Sequence, residues 1–151
     1  MKLDRRQVLG LTAGAAVFAV AGVRVNPASA SAEDTAKRIM EFTGGKKPGT
    51  GKITLKAPEI AENGNTVPIS VSVESAMSGD DVAESVMILA EGNPRPEVAT
   101  FHFTELSGEA SATTRMRLAK TQNVVAVVKM KDGSVFSDTR QVKVTIGGCG
   151  G

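Results

Sequence analysis

The strongest constraint on the fold is a two-residue hydrophobic alternation in short segments. It is clearest at residues 66–75, where Val67, Ile69, Val71 and Val73 alternate with polar residues and one proline. A period of two places apolar side chains on one face of a β-strand. Pro68 cannot donate a ladder hydrogen bond, so we expect this segment to be an edge strand or to start there.

Six other segments have strand-like patterns, and turn-forming sequences separate many of them. The continuous apolar run at 123–130 is typical of a central strand, and alternation at the end of the chain places Val142, Val144 and Ile146 inward. Residues 99, 101, 103, 116 and 118 are also predicted inward, and Arg115 and Arg117 outward. The strand segments are 52–57, 66–75, 85–90, 97–104, 113–118, 123–130 and 134–146.

One short helix is predicted at residues 33–42, before the strands. Ala36, Ile39, Met40 and Phe42 form its apolar stripe, and two glycines end it. Because strands and helices do not alternate, we expect an immunoglobulin-like antiparallel β-sandwich of about seven strands, with a short N-terminal helix and a flexible C-terminal tail. The chain has no tryptophan and one cysteine, so the usual core signature is absent and strand topology stays open.

Residues 1–30 have the three parts of a cleaved export signal: Arg5-Arg6, an apolar stretch at 8–23, and small residues before cleavage after Ala30 or Ala32. The apolar stretch is shorter than the ~20 residues of a membrane-spanning helix. The arginine pair predicts twin-arginine export, with an ordinary secretory signal as the alternative. We therefore expect a periplasmic protein with no membrane anchor, a sandwich domain at 31–146 and an arm at 147–151.

Charge argues against nucleic acid as a partner. The whole chain carries +2, but the leader holds four basic residues and one acidic residue. The remainder keeps 14 of the 18 basic and 15 of the 16 acidic residues, a net charge of −1. Nucleic-acid binding needs a basic face with stacking aromatics, which this composition does not supply.

The chain also lacks the residues for common catalytic and metal sites. It has one histidine and one cysteine, too few for an ordinary zinc site or for the two histidines of a blue-copper site. His102 is predicted to be an outward-facing strand residue, and residues 93–96 an ordinary loop. We expect no metal, no cofactor and no enzymatic activity.

The C-terminus is the candidate site. Cys149 lies between Gly147-Gly148 and Gly150-Gly151, where the last predicted strand has ended. Glycine favours a disordered arm, which spans at most ~17 Å at ~3.4 Å per residue. Nothing in the local sequence lowers the thiol pKa, so the pattern favours a carrier thiol that other proteins activate. The alternatives are a structural or interaction sandwich that uses Cys149 for an intermolecular disulfide, and a small redox module.

The sequence resembles the SoxY family, the carrier subunits of the bacterial sulfur-oxidation system. The resemblance is strongest at the terminus, residues 142–151, and covers essentially the whole mature chain. Further matching stretches are Ile-Ala-Glu-Asn-Gly at 60–64, Gly-Asn-Pro-Arg-Pro at 92–96, Thr-Arg-Met-Arg-Leu-Ala at 114–119 and Asp-Gly at 132–133.

This resemblance implies a function and a set of partners. Thiosulfate-derived sulfur would be held covalently on Cys149, as a thiosulfonate or persulfide, with Gly147, Gly148, Gly150 and Gly151 forming the arm. A second sandwich subunit, SoxZ-like, would form a heterodimer with the chain. A haem-containing enzyme would attach the sulfur, a hydrolase would release sulfate, and a sulfane dehydrogenase would oxidise the remaining sulfur.

Overall fold

The computed structural model describes residues 32–147. The predicted leader lies outside these residues, and so do Gly148, Cys149, Gly150 and Gly151, so these predictions and the proposed domain boundaries stay predictions.

One helix and eight strands make up the described chain. Helix α1 spans Ala32–Thr43, and a 3-10 turn spans Glu105–Ser107. The strands are β1 (Ile53–Lys56), β2 (Ile60–Asn63), β3 (Val67–Val73), β4 (Ala83–Ala90), β5 (Glu97–His102), β6 (Ala110–Met116), β7 (Gln122–Met130) and β8 (Val135–Ile146). The seven predicted strands are present, and β2 is an additional strand between the first and second predicted segments.

The strands form two sheets, which confirms the sandwich. One sheet has the order β1-β3-β6, and the other has the order β2-β8-β7-β4-β5. All pairings are antiparallel except β2 with β8, where Ala61 lies opposite Val144 in a parallel ladder. That parallel pair departs from the all-antiparallel expectation. Its strands are distant in sequence, so no local pattern signals it.

The core lies between the sheets and explains the alternation. Leu55, Val71, Val86, Ile88 and Val128 are among its fully or almost fully buried side chains. The shared face predicted for Val67, Ile69, Val71 and Val73 is confirmed, because all four are buried in this core. In β3, four buried apolar side chains alternate with three that are exposed or half-buried, as a strand with one face on the core requires.

A second apolar cluster lies on the outer face of the five-stranded sheet. Met87, Leu89, Val125 and Val127 are buried there, and Ile39 and Phe42 of α1 pack against them. Strands β4 and β7 are therefore buried on both faces, which is why their sequences are continuous apolar runs. The central position predicted for 123–130 is confirmed, because β7 lies between β4 and β8.

The predicted helix stripe is only half right. Ile39 and Phe42 are half-buried, but Ala36 is exposed and Met40 is 47% exposed. Thr35 and Thr43 are buried instead. Thr43 Oγ1 donates to the Lys46 carbonyl at 2.6 Å, which ties the end of the helix to the linker.

Other predicted orientations can be compared directly. Met116 and Leu118 are buried while Arg115 and Arg117 are exposed, as expected. Pro68 lies at the start of β3, as expected, but β3 is the central strand of its sheet. Proline is tolerated there because the β1 ladder ends at Ser70, so only β6 pairs with Pro68.

Strand β8 joins the two sheets through two inward-facing charged side chains. Asp138 Oδ2 accepts the Leu55 N–H at 2.9 Å, and Arg140 Nε donates to the Leu55 carbonyl at 3.1 Å. These contacts occupy the backbone groups at the free edge of β1, a common way to protect an edge strand.

Candidate functional site

The described part of the candidate site lies where β8 ends. Gly64 connects three segments there: its N–H donates to the Ile146 carbonyl at 2.8 Å, and its carbonyl accepts the Leu118 N–H at 2.8 Å. Leu118 is fully buried, so this connection reaches the core. We call Gly64, residues 117–121 and residues 144–147 the arm base.

The last residues of β8 are held from both sides. On one side, Thr121 Oγ1 accepts the Val144 N–H at 2.9 Å. On the other, Thr145 Oγ1 donates to the Glu62 carbonyl in β2 at 2.9 Å. The inward prediction for Ile146 is wrong, since its side chain is 69% exposed. The strand thus keeps its hydrogen bonds beyond the point where the core ends.

Gly147 is the one predicted arm residue that the structure describes. A Cβ built on it would lie 2.3 Å from the Ala119 carbonyl oxygen, closer than Cβ atoms approach backbone oxygens. Gly147 therefore has a packing role as well as the conformational role that its sequence suggested. Gly148, Cys149, Gly150 and Gly151 follow it outside the described residues.

Two buried side-chain amides hold the loop that Gly147 touches. Asn93, 4% exposed, accepts the Ala119 N–H at 3.0 Å and donates to the Arg117 carbonyl at 2.8 Å. Gln122, 6% exposed, donates to Asn93 Oδ1 and to the Lys120 carbonyl, both at 3.0 Å. It also accepts the Gly92 N–H at 2.7 Å. Together, Gly92, Asn93 and Gln122 form what we call the amide network.

Sequence reasoning missed this network. Residues 93–96 were expected to form an ordinary loop, and Gln122 preceded the predicted strand at 123–130. The only local signal is an asparagine between glycine and proline. Gly92 is itself buried: a Cβ there would lie 2.9 Å from Lys120 Cε and 3.0 Å from Gln122 Cβ. The loop that contains Gly92 and Asn93 therefore supports the arm base.

Two carboxyl groups outside the arm base have lowered pKa values. A hydrogen bond from Lys52, assisted by the Ala76 N–H, lowers the pKa of Asp81, and the hydroxyl and N–H of Ser134 lower the pKa of Asp132. Asp132 follows the end of β7 opposite to Gln122. The amide network offers neutral hydrogen-bonding groups to the arm base.

The remaining sequence predictions concern metals and membranes. His102 is exposed at the end of β5, opposite Ser85, as predicted. Between residues 32 and 147, no three His, Cys, Asp or Glu side chains are grouped so that they could hold a metal ion. In the same range, no helix has the length and hydrophobicity needed to cross a bilayer.

Solved structures share this fold. The sulfur carrier protein SoxY from Chlorobium limicola f thiosulfatophilum is 35% identical, with a TM-score of 0.63, and the match covers 77% of this chain and 100% of that protein. A superoxide reductase (neelaredoxin) from Ignicoccus hospitalis is 14% identical, with a TM-score of 0.54 over 81% of this chain and 99% of that one. At that identity the second likeness concerns the fold alone.

The comparison with curated protein sequences found no significant match. The comparison with family models agrees with the structural likeness. The family model for the sulfur oxidation protein SoxY matches residues 39–149, a range that starts in α1, includes the whole sandwich and ends on the cysteine. The chain therefore belongs to the SoxY family of sulfur oxidation proteins.

Proposed function

We propose that this chain is a periplasmic sulfur carrier that holds thiosulfate-derived sulfur covalently on Cys149 and presents it to partner enzymes. The observation that carries the proposal is the family match, which extends to residue 149. The likeness at 35% identity to a protein described as a sulfur carrier, matched over its full length, supports the same role.

The proposed chemistry needs only one thiol. In the first step the Cys149 sulfur bonds to the outer sulfur of thiosulfate. One proton and two electrons leave, and the haem-containing partner takes up the electrons. Water then breaks the bond between that sulfur and the sulfonate group, which releases sulfate and a proton and leaves a persulfide on Cys149. Persulfide is a reversible thiol modification, as a carrier requires.

We propose that the chain carries the sulfur but does not itself catalyse a reaction. The amide network has no general base, and the sequence around Cys149 has none either. The haem-containing enzyme, the hydrolase and the sulfane dehydrogenase would supply the catalytic groups. Glycine on both sides of Cys149 would let the sulfur enter narrow sites with only backbone around it.

The distance from the sandwich to the reactive sulfur is limited by covalent geometry. Cys149 follows Gly147 by two residues, so their Cα atoms lie at most about 7 Å apart. Partner enzymes would therefore have to approach the arm base closely. A SoxZ-like subunit is proposed to bind elsewhere on the sandwich and leave this end open. Light scattering of the two co-expressed subunits tests for the heterodimer. A chain that stays monomeric beside its partner would oppose the proposal.

The test is the intact mass of protein purified from periplasm, with and without reductant. We expect sulfur or thiosulfate adducts on wild-type protein and none on Cys149→Ser, with stability unchanged within ~0.5 kcal/mol. A reducible homodimer without adducts would favour the disulfide alternative. Sulfur loading of Cys149→Ser would mean that Cys149 is not the attachment site.

A matched control moves the thiol. Thr139 is exposed on the same strand, β8, away from the arm base. Thr139→Cys in the Cys149→Ser background should react with iodoacetamide but acquire no sulfur from the partner enzymes. Equal loading at both positions would mean that any exposed thiol serves, and the arm would have no special role.

A further inference from the structure

We propose that Asn93, Gln122 and Gly147 are positioning residues that fix where, and in which direction, the chain leaves the sandwich. In this proposal the chain is held for one residue beyond the end of β8, because the amide network fixes the loop against which Gly147 lies. The structure describes all three residues. Their role in sulfur carriage rests on the proposed function.

The amide network holds the loop between β6 and β7 through several hydrogen bonds. Five hydrogen bonds join residues 92–93 and Gln122 to the loop and to each other. Asn93 uses its oxygen twice, and Gln122 uses both amide protons. A buried polar network with all its groups satisfied is rigid, because each broken bond leaves another buried group without a partner.

That rigidity is transmitted to the arm through Ala119. Asn93 Oδ1 accepts the Ala119 N–H, and the carbonyl of the same residue is the atom that a side chain on Gly147 would meet at 2.3 Å. The backbone of Gly147 can pass this carbonyl only because glycine has no Cβ. Gly64 holds the preceding residue, Ile146, from the other side. The chain is thus confined on two sides where it leaves the sandwich.

Confinement matters because the remaining tether is short. Only Gly148 separates Gly147 from Cys149. If the chain were free from residue 145, the number of free residues up to the cysteine would rise from two to about five. The spread of a flexible chain grows with the square root of its length, so the spread of sulfur positions would rise about 1.5-fold.

Distances between two nitroxide labels test the geometry. One label is attached to Cys149 and the other to Ser72→Cys, an exposed site on β3, and pulsed electron paramagnetic resonance gives the distance distribution. We expect Asn93→Ala and Gly147→Ala to widen it about 1.5-fold. Gly147→Ala adds only a methyl group at the sandwich surface, so it remains informative if Asn93→Ala folds poorly.

Two matched controls accompany these variants. Asn123→Ala removes a half-buried amide that binds Glu91 instead of the loop, and Gly148→Ala adds a methyl group one residue beyond Gly147. Neither should widen the distribution. Equal widths in all five proteins would overturn the proposal.

Loading by the conjugating partner tests the functional half. In Asn93→Ala and Gly147→Ala we expect kcat/KM for loading to fall at least about tenfold, because a misplaced reactive group reduces catalysis steeply. Alkylation by iodoacetamide should not change. A widened distribution with unchanged loading would refute the role in presentation. Absence of loading in wild type would refute the proposed function and leave the geometric result standing.

Discussion

Replacing Asp138 tests how β8, the strand that leads into the arm, is held between the sheets. Asp138 Oδ2 accepts the N–H of Leu55, a residue that is 1% exposed. In Asp138→Ala this buried donor would lose its acceptor. Asp138→Asn can keep an oxygen on the Leu55 N–H, but it removes the charge and replaces Oδ1, which accepts the Thr139 N–H at 2.8 Å, with an amide nitrogen.

The structure permits an estimate of the effect. An unsatisfied buried N–H costs ~1–3 kcal/mol. The ion pair with Arg140, at 3.3 Å and with the arginine side chain 54% exposed, adds little. We therefore expect Asp138→Ala to lose about 2 kcal/mol of unfolding free energy, or about 5–10 °C in Tm for a domain of this size. Asp138→Asn should lose less than about 1 kcal/mol, since the hydrogen bond persists.

Urea denaturation followed by far-UV circular dichroism measures both variants, because the chain has no tryptophan or tyrosine for fluorescence. Thr139→Ala, an exposed neighbour on β8, is the control and should stay within ~0.5 kcal/mol of wild type. Equal losses in Asp138→Ala and Asp138→Asn would refute the argument from the Leu55 hydrogen bond and point to the charge or to the bond with the Thr139 N–H. No loss in either would mean that the edge of β1 needs no acceptor.

Three further predictions concern the arm, export and pH. Gly148→Val with Gly150→Val should leave alkylation by iodoacetamide near normal and strongly reduce enzyme-dependent sulfur turnover, because branched side chains restrict the backbone and crowd the sulfur; equal effects on both rates would oppose the carrier arm. Replacing Arg5 and Arg6 with lysine should leave unprocessed precursor in the cytoplasm on a western blot, whereas normal export would favour the ordinary secretory route. Since the folded state lowers the pKa of Asp81, its stabilisation is present above the ordinary carboxyl range near ~4 and is lost as pH falls below it. The Tm deficit of Asp81→Asn should therefore be largest near neutral pH and shrink in acid, and a deficit independent of pH would contradict the assignment.

Much of the fold follows from the sequence because alternation reports which face of a strand is buried. Residues 66–75 were predicted as a strand, and β3 spans Val67–Val73. Alternation does not report depth, however. Ile146 has the same phase as the buried Val142, but it lies beyond the edge of the core and is exposed. Strand β2 was missed because only Ala61 of its four residues is buried, too little pattern to detect.

One part of the candidate site is evident from neighbouring residues in the sequence, and another part depends on residues that are far apart in the sequence. Cys149 stands out because its glycine neighbours are unusual in the sequence itself. The amide network does not, because it depends on strand pairing. In the β4–β7 register, Ala90 lies opposite Val124, and continuing that register by two residues places Gly92 opposite Gln122. Asn93 and Gln122 are 29 residues apart and meet only once this register has formed. The register that builds the core between β4 and β7 also brings Asn93 and Gln122 together, so the amide network follows from strand pairing and not from the local sequence.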